Sequence, residues 1–245
     1  MQRYFVSNRQ INKGIVEIVD QDFHHIKNVM RMKIAVIVEI CDEIQNVYTA
    51  KLLEFKKNSV LFSLIDKLEV DVELKTDITI ALGLTRTSKI EEVIRRITEL
   101  GASNFIPVEM NRSVVRLNKN VNYKQNRLEM IVKEASEQSK RTKLMKIHEP
   151  IKFNQLLDNI DDYDYLVYAY EDLAKNSKNK FKSIIPSFKN KKVLVIVGPE
   201  GGFTTEEVDK LDRLGFISVG LGPRILRLET APLYIMSAIS YELEL

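Results

Sequence analysis

From Asp77 onward the chain alternates short apolar runs with segments of helical period, and this constrains the fold more than any other feature. "ITIALGL", "NFIPVEM", "YLVYAY", "KVLVIV" and "FISVGLG" have the length and β-branched content of buried strands. Between them, "SKIEEVIRRITELG" sets Ile90, Val93, Ile94, Ile97 and Leu100 on one helical face, with Gly101 as its stop. "NYKQNRLEMIVKEASEQSKR" reads as a long helix. "TEEVDKLDRLG" reads as another, opened by Thr204 with Glu207 three residues on in the pattern of a capping box. Strands that alternate with helices imply a parallel sheet covered on both faces. The fold class is therefore α/β.

The first seventy residues follow a different rule. "GIVEIVD", "AVIVEICD", "VYTAKLLEF" and "SVLFSLIDKLEV" alternate in part, and one short helix is expected at "DFHHIKNVMRM". They predict a small β-barrel or curled sheet, and the composition changes at "EVDVELKTD". Two domains follow, 1–72 and 73–245. The longest apolar runs fall far short of the ~20 residues that span a bilayer, and no signal-peptide pattern opens the chain. No membrane partner is expected, and a single cysteine, Cys41, fits a cytoplasmic protein without disulfides. Three histidines (His24, His25 and His148) and one cysteine lack the usual ligand pairs of a zinc site, so no metal is expected.

The last segment, "APLYIMSAISYELEL", is apolar nearly all round, and a helix without a polar face is buried on more than one side. The sheet can cover one side. A second subunit is the simplest cover for the other, which predicts a homodimer; the alternative cover is the N-terminal domain.

Six of the nine glycines lie between Gly198 and Gly222. "KVLVIVGPEGGFTTEEV" is a strand, a glycine loop and a helix, and ligands of open α/β sheets gather at such strand ends. The loop lacks the lysine of a P-loop and the spacing of a dinucleotide fingerprint. Glu200 would repel a phosphate, so a bound ligand should be cationic or rich in hydroxyl and amine donors. A tight turn with no ligand is the bland alternative. That alternative weakens because the next strand ends in a second loop, "GPRILRLET", and loops from neighbouring strands would form two walls of one crevice. Arg224 and Arg227 there are surface or ion-pair residues, or else they bind phosphate or stabilise negative charge on a base. His148 and Cys41 have no evident catalytic partner. The chemistry should need only positioning and electrostatics.

Net charge is only +3, but basic residues cluster. Leu173 to Lys192 holds seven lysines and no acidic residue, and Arg112, Arg116 and Lys119, then Lys140, Arg141, Lys143 and Lys146, form two further groups. Each is a solvated surface or a contact for a polyanion.

"VLVIVGPEGGFTTEEV" followed by "LGPRILRLETAPL" resembles the signature pair of the bacterial small-subunit ribosomal RNA uridine-N3 methyltransferases, the RsmE family of the SPOUT class. "FHHIKNVMRM", "SKIEEVIRRITELG", "PVEMNRSVV" and "EASEQSKR" are similar to further segments of that family, so the resemblance covers nearly the whole chain. It implies a PUA-like β-barrel in 1–72, and a SPOUT domain in 73–245 with a C-terminal trefoil knot and a dimer interface. It implies S-adenosyl-L-methionine as cofactor, and methylation of N3 of a uridine in 16S ribosomal RNA of the small ribosomal subunit. Gly198, Pro199, Glu200, Gly201 and Gly202 would form one cofactor loop; Leu221, Gly222, Pro223, Arg224, Ile225 and Leu226 would form the other. Arg227, Glu229, Arg112 and Glu200 would carry the catalysis, with Glu200 or Glu229 accepting a proton. Arg3, Arg31, Arg86, Lys89, Arg112 and Arg141 would face RNA. The rivals are a catalytically silent RNA-binding protein on the same fold, and a SPOUT enzyme acting on another nucleotide. Two departures stand out. "MRMKIAVIVEICDEIQN" lacks both an early glycine and an Asp-Gly turn that the family commonly has, and Leu228 stands where threonine is common.

Overall fold

Alternate residues of the N-terminal strands are buried, as the period of a pleated sheet with one covered face requires. The strands are β1 (Arg3–Phe5), β2 (Ile11–Asn12), β3 (Ile15–Val19), β4 (Ile37–Cys41), β5 (Val47–Phe55) and β6 (Ser59–Leu68). They pair in the order β1-β4-β5-β6-β3-β2, antiparallel except for the parallel β1–β4 pair. Val16, Ile18, Val38, Ile40, Leu52, Val60 and Phe62 form the core with Tyr4 and Ile26. In place of one helix after β3 there are two short pieces, α1 (Asp20–His24) and a π-type turn at His25–Val29. The turns on either side of β4 use left-handed backbone at the non-glycine residues Ala35 (φ 73°) and Gln45 (φ 68°). Asp42 organises the second of them, accepting from the amides of Ile44 and Asn46 at 3.0 and 2.8 Å.

The computed structural model of the chain describes residues 1–117, 125–170 and 180–245, which divide into two units. The first is Met1–Glu73 together with Ser136–Lys143, and the second is Leu74–Ala135 together with Leu144–Leu245. A division into 1–72 and 73–245 leaves out that returning segment. Its role in the first unit is electrostatic. Arg141 is 4% exposed and meets Glu73 at 2.7 Å, while the Thr142 and Lys143 amides donate to the same carboxylate at 2.7 and 3.0 Å. Arg3, also buried, pairs with Glu39 at 2.9 Å and donates to the carbonyls of Lys140 and Arg141. The expectation that Arg3 and Arg141 face RNA is thereby corrected: both guanidinium groups lie inside the unit and are spent on its own acceptors.

In the second unit the strands are β7 (Asp77–Gly83), β8 (Asn104–Glu109), β9 (Lys146–Ile147), β10 (Ile151–Lys152), β11 (Tyr165–Ala169), β12 (Lys192–Val197) and β13 (Ile217–Val219). The order is β10-β8-β7-β12-β11-β13, all parallel, with β9 also on β8. The helices are α2 (Thr87–Glu99), α3 (Gln125–Gln138), whose last three residues belong to the first unit, α4 (Phe153–Leu157), α5 (Lys180–Ile184), α6 (Thr205–Arg213) and α7 (Thr230–Glu244). Ile78, Ile80, Leu82, Val193, Val195 and Val197 point to one face of the sheet, against Ile90, Ile94 and Ile97 of α2 and Ile235, Met236 and Ile239 of α7. Ala81, Leu194 and Ile196 point to the other, against Phe153, Leu156, Phe203 and Leu211. Both faces are therefore covered, as the alternation of strands and helices demands. α2 stops where Gly101 takes φ 89°, with the Gly101 and Ala102 amides donating back to Thr98 and Ile97 as in a Schellman motif.

The expected helix beginning at Asn122, and the lysine-rich run from Leu173, start outside the described residues; Lys119 also lies outside them. Where the second run is described, Phe181, Ile185 and Phe188 are buried in the core. On α7, Tyr234 and Tyr241 remain 45% and 70% exposed. Among the described residues no helix is long and apolar enough to cross a membrane.

Candidate active site

Because β7, β11, β12 and β13 run parallel, their carboxyl ends lie along one edge of the sheet, and a cavity of about 640 Å³ opens there. Gly198, Pro199, Glu200 and Gly202 line one side, and Leu221, Gly222 and Arg224 to Leu226 line another. Arg112, Lys89, Arg227 and Glu229 complete the polar lining. The two loops do not come from neighbouring strands, as the sequence reading supposed. β11 stands between β12 and β13, and its end, Ala169 with Tyr170, lies between the two walls. Gly201 and Pro223 belong to the loops but not to the lining.

The first loop has no spare room. A Cβ at Gly83, the end of β7, would stand 2.4 Å from the Pro199 nitrogen, and one at Gly201 would stand 2.9 Å from Arg112 Cβ. Gly202 takes φ 68°, and its amide closes a turn on the Pro199 carbonyl at 2.8 Å. Arg112 donates to the Gly201 carbonyl at 2.9 Å. The capping box of α6 does a second job. Glu207, 2% exposed, accepts from the Thr204 amide at 2.9 Å and from the Asn111 amide at 2.8 Å. One buried carboxylate thus ties the loop that carries Arg112 to the loop that carries Glu200.

Glu200 answers to α2 rather than to its own loop alone. Its carboxylate accepts from the Thr85 hydroxyl and from Lys89 Nζ at 3.2 Å. Burial pushes its carboxyl up, but Thr85, its own amide and Lys89 outweigh that and hold it below the ordinary glutamate value. Lys89 also stands 3.4 Å from Glu229 Oε2. Its hydrogen bond to Glu200, with the charge of both carboxylates, pushes its ammonium above the usual lysine value. At Glu229 the contact is an ion pair without hydrogen-bond geometry, since that buried oxygen accepts no hydrogen bond among the described residues. Arg224 and Arg227 are exposed on the second loop, and Leu228 between them and Glu229 is buried in the core.

Of the residues expected to face RNA, Lys89 and Arg112 lie at this cavity, Arg86 is exposed just before α2, and Arg31 is exposed in the first unit. Sequence reasoning missed Gly83 and Thr85 in "ALGLTRTSK". The available signal was a glycine at the end of a central strand, which often marks close approach of another backbone.

A parallel sheet whose strand ends hold two glycine-proline loops, in a chain that also has a separate unit rich in strands, defines the class of SPOUT RNA methyltransferases with a PUA-like domain. The model of an RNA methyltransferase domain matches residues 72–240, and that of an RNA methyltransferase PUA domain matches residues 18–65. The chain is 40% identical to ribosomal RNA small subunit methyltransferase E of Bacillus subtilis (strain 168), over 100% of this chain and 98% of that one. It is 31% identical to the protein of the same name from Mesomycoplasma hyopneumoniae (strain 232), over 97% and 98%. The crystal structure of a ribosomal RNA small subunit methyltransferase E from Neisseria gonorrhoeae, bound to S-adenosyl methionine, superimposes with a TM-score of 0.84 at 26% identity over 99% and 98% of the two chains. The chain belongs to the ribosomal RNA small subunit methyltransferase E family.

Proposed function

We propose that this enzyme transfers the methyl group of S-adenosyl-L-methionine to N3 of a uridine in 16S ribosomal RNA, acting on the small ribosomal subunit. The observation that carries the reading is the cavity at the strand ends, where two anionic side chains and several arginines converge between two tight loops. The residues fit the cofactor. Gly83 and Gly201 leave room only for backbone, and the carboxylate of Glu200 suits a cationic ligand. Gly198 to Gly202 and Leu221 to Leu226 would hold it. When bound, the cofactor supplies a methyl group already activated on a positively charged sulfur.

The work left to this chain is orientation and charge. Uridine N3 carries a proton at neutral pH, and its removal leaves negative charge on the base carbonyl oxygens. Arg227, exposed and with no side-chain hydrogen bond or ion pair among the described residues, is free to stabilise that charge, with Arg112 and Arg224 nearby on the same lining. Arg31 and Arg86 are the exposed arginines we assign to the RNA backbone. A homodimer in the cytoplasm completes the proposal: exposed Tyr234 and Tyr241 on the apolar α7 supply a face for the second subunit.

The test is methyl transfer. The purified protein, given labelled S-adenosyl-L-methionine and small subunits lacking the mark, should yield 3-methyluridine on digestion of the RNA. Label on another base or on ribose would overturn the assignment of the acceptor atom. Absence of label, with the cofactor bound, would overturn the enzyme.

A further inference from the structure

We infer that Glu229 takes the proton from the uridine imide, and that Glu200 serves as a fixed anion in the cofactor pocket; this rests on the reading of the site as a uridine-N3 methyltransferase. The two carboxylates share one cavity and one lysine, yet their surroundings differ. Glu200 is already engaged by the Thr85 hydroxyl and by Lys89 at 3.2 Å. Donors that occupy its lone pairs and stabilise its anion make it a poor proton acceptor. Glu229 is only 20% exposed, and its Oε2 is buried with no hydrogen bond among the described residues. A buried acceptor that has a cation nearby but no aligned hydrogen bond is costly, so its place in a binding cavity points to a donor brought by the ligand. The N3–H of uracil is such a donor.

The neighbours of Glu229 match the rest of that base edge. Uracil presents a carbonyl oxygen, the N3–H and a second carbonyl oxygen, and its complement is a donor, an acceptor and a donor. Of the four cations that line the cavity, Lys89 lies 3.4 Å from Glu229 Oε2 and Arg227 is two residues away on the same turn, while Arg112 and Arg224 stand elsewhere on the lining. The turn carrying this group is fixed, because the Arg227 carbonyl accepts from the amides of Thr230 and Ala231 at 2.9 and 3.0 Å. Cytosine would place an unprotonated nitrogen and an amine along the same edge, setting a lone pair against the carboxylate. The arrangement therefore selects the base as well as deprotonating it.

In the step itself the N3–H bond breaks and the proton passes to a Glu229 oxygen. The electron pair left on N3 forms the bond to the methyl carbon, and the carbon–sulfur pair departs with sulfur, which loses its positive charge. Glu229, now a neutral acid, gives its proton to water as the product leaves. Lys89 keeps its pairing with Glu200 throughout.

The experiment compares the full-length wild type with Glu229→Gln and Glu200→Gln, reading cofactor affinity by calorimetry and single-turnover methylation of unmarked small subunits across pH. Glu229→Gln should bind cofactor like the wild type and lose about 100-fold or more in rate at neutral pH, the range of a missing general base. Its rate should recover as the pH rises toward ionisation of the imide, and also on subunits carrying 5-fluorouridine, whose imide is more acidic. Glu229→Asp should keep part of the activity and the wild-type pH profile. Glu200→Gln should weaken cofactor binding and keep that profile at saturating cofactor. Loss of cofactor binding in Glu229→Gln, or alkaline recovery in Glu200→Gln instead, overturns the assignment while the methyltransferase stands. A wild type that binds cofactor but transfers no methyl overturns the functional reading, and this inference with it.

Discussion

Ala35 and Gln45 carry left-handed backbone that suits glycine better than the residues present. Left-handed backbone costs an ordinary residue ~1–2 kcal/mol, and glycine returns part of that gain as chain entropy. Ala35→Gly is therefore expected to stabilise the protein by about 0.5 kcal/mol or more, read as a rise in the denaturant midpoint with an unchanged slope. The Ala35 amide keeps its bond to the Leu52 carbonyl at 2.9 Å in either form. Arg227 makes the opposite case, a residue with no structural duty for its side chain. Arg227→Ala should abolish turnover and leave cofactor affinity within a few fold by calorimetry; collapse of cofactor binding would reassign it. Arg3 and Arg141 show what a sequence hides at this scale. Basic residues look alike in text whether they meet a polyanion or a buried carboxylate, and the partners, Glu39 and Glu73, lie far away in sequence.

Elements were more legible than residues. Every strand of five residues or more could be read from its apolar run, because burial of both faces leaves β7 and β12 almost without polar residues. Strand order could not, since nothing in "YLVYAY" says that β11 lies between the two strands bearing the glycine loops. The two-residue strands β9 and β10 are set by pairing with β8 and have no pattern of their own. The glycine loops were legible as a pair, but the element that shapes the first of them, the end of β7, was not. Gly83→Ala should therefore push Pro199 out of place and weaken cofactor binding strongly, while circular dichroism reports an intact fold. Unchanged cofactor affinity would show that the loop can move aside without consequence.

At the scale of the molecule, the first unit stores part of its stability in depressed carboxylates. Burial pushes Glu73 up, but Arg141 and the Thr142 and Lys143 amides outweigh it and hold the carboxyl below its ordinary value of 4.5. Glu39 is likewise lowered, with burial outweighed by Lys140 and Arg3. A carboxyl whose folded value is depressed contributes stability in full above its unfolded value, and loses it as pH falls through the folded one. Stability should be flat from neutrality down to about pH 5 and fall below it, in thermal melts run across that range. Arg141→Met should cost roughly 3 kcal/mol at neutral pH and flatten the acid decline, as expected when one member of a buried pair is removed. That pair also sets a timetable for synthesis. Glu73 leaves the ribosome long before Ser136–Lys143, so the six strands must wait, with Glu73 unpaired and Arg3 holding only Glu39, until Leu74–Ala135 of the following unit has emerged. The N-terminal unit is begun first and finished late, and a chain stalled between the two would expose an unfinished sheet to the cell's quality control.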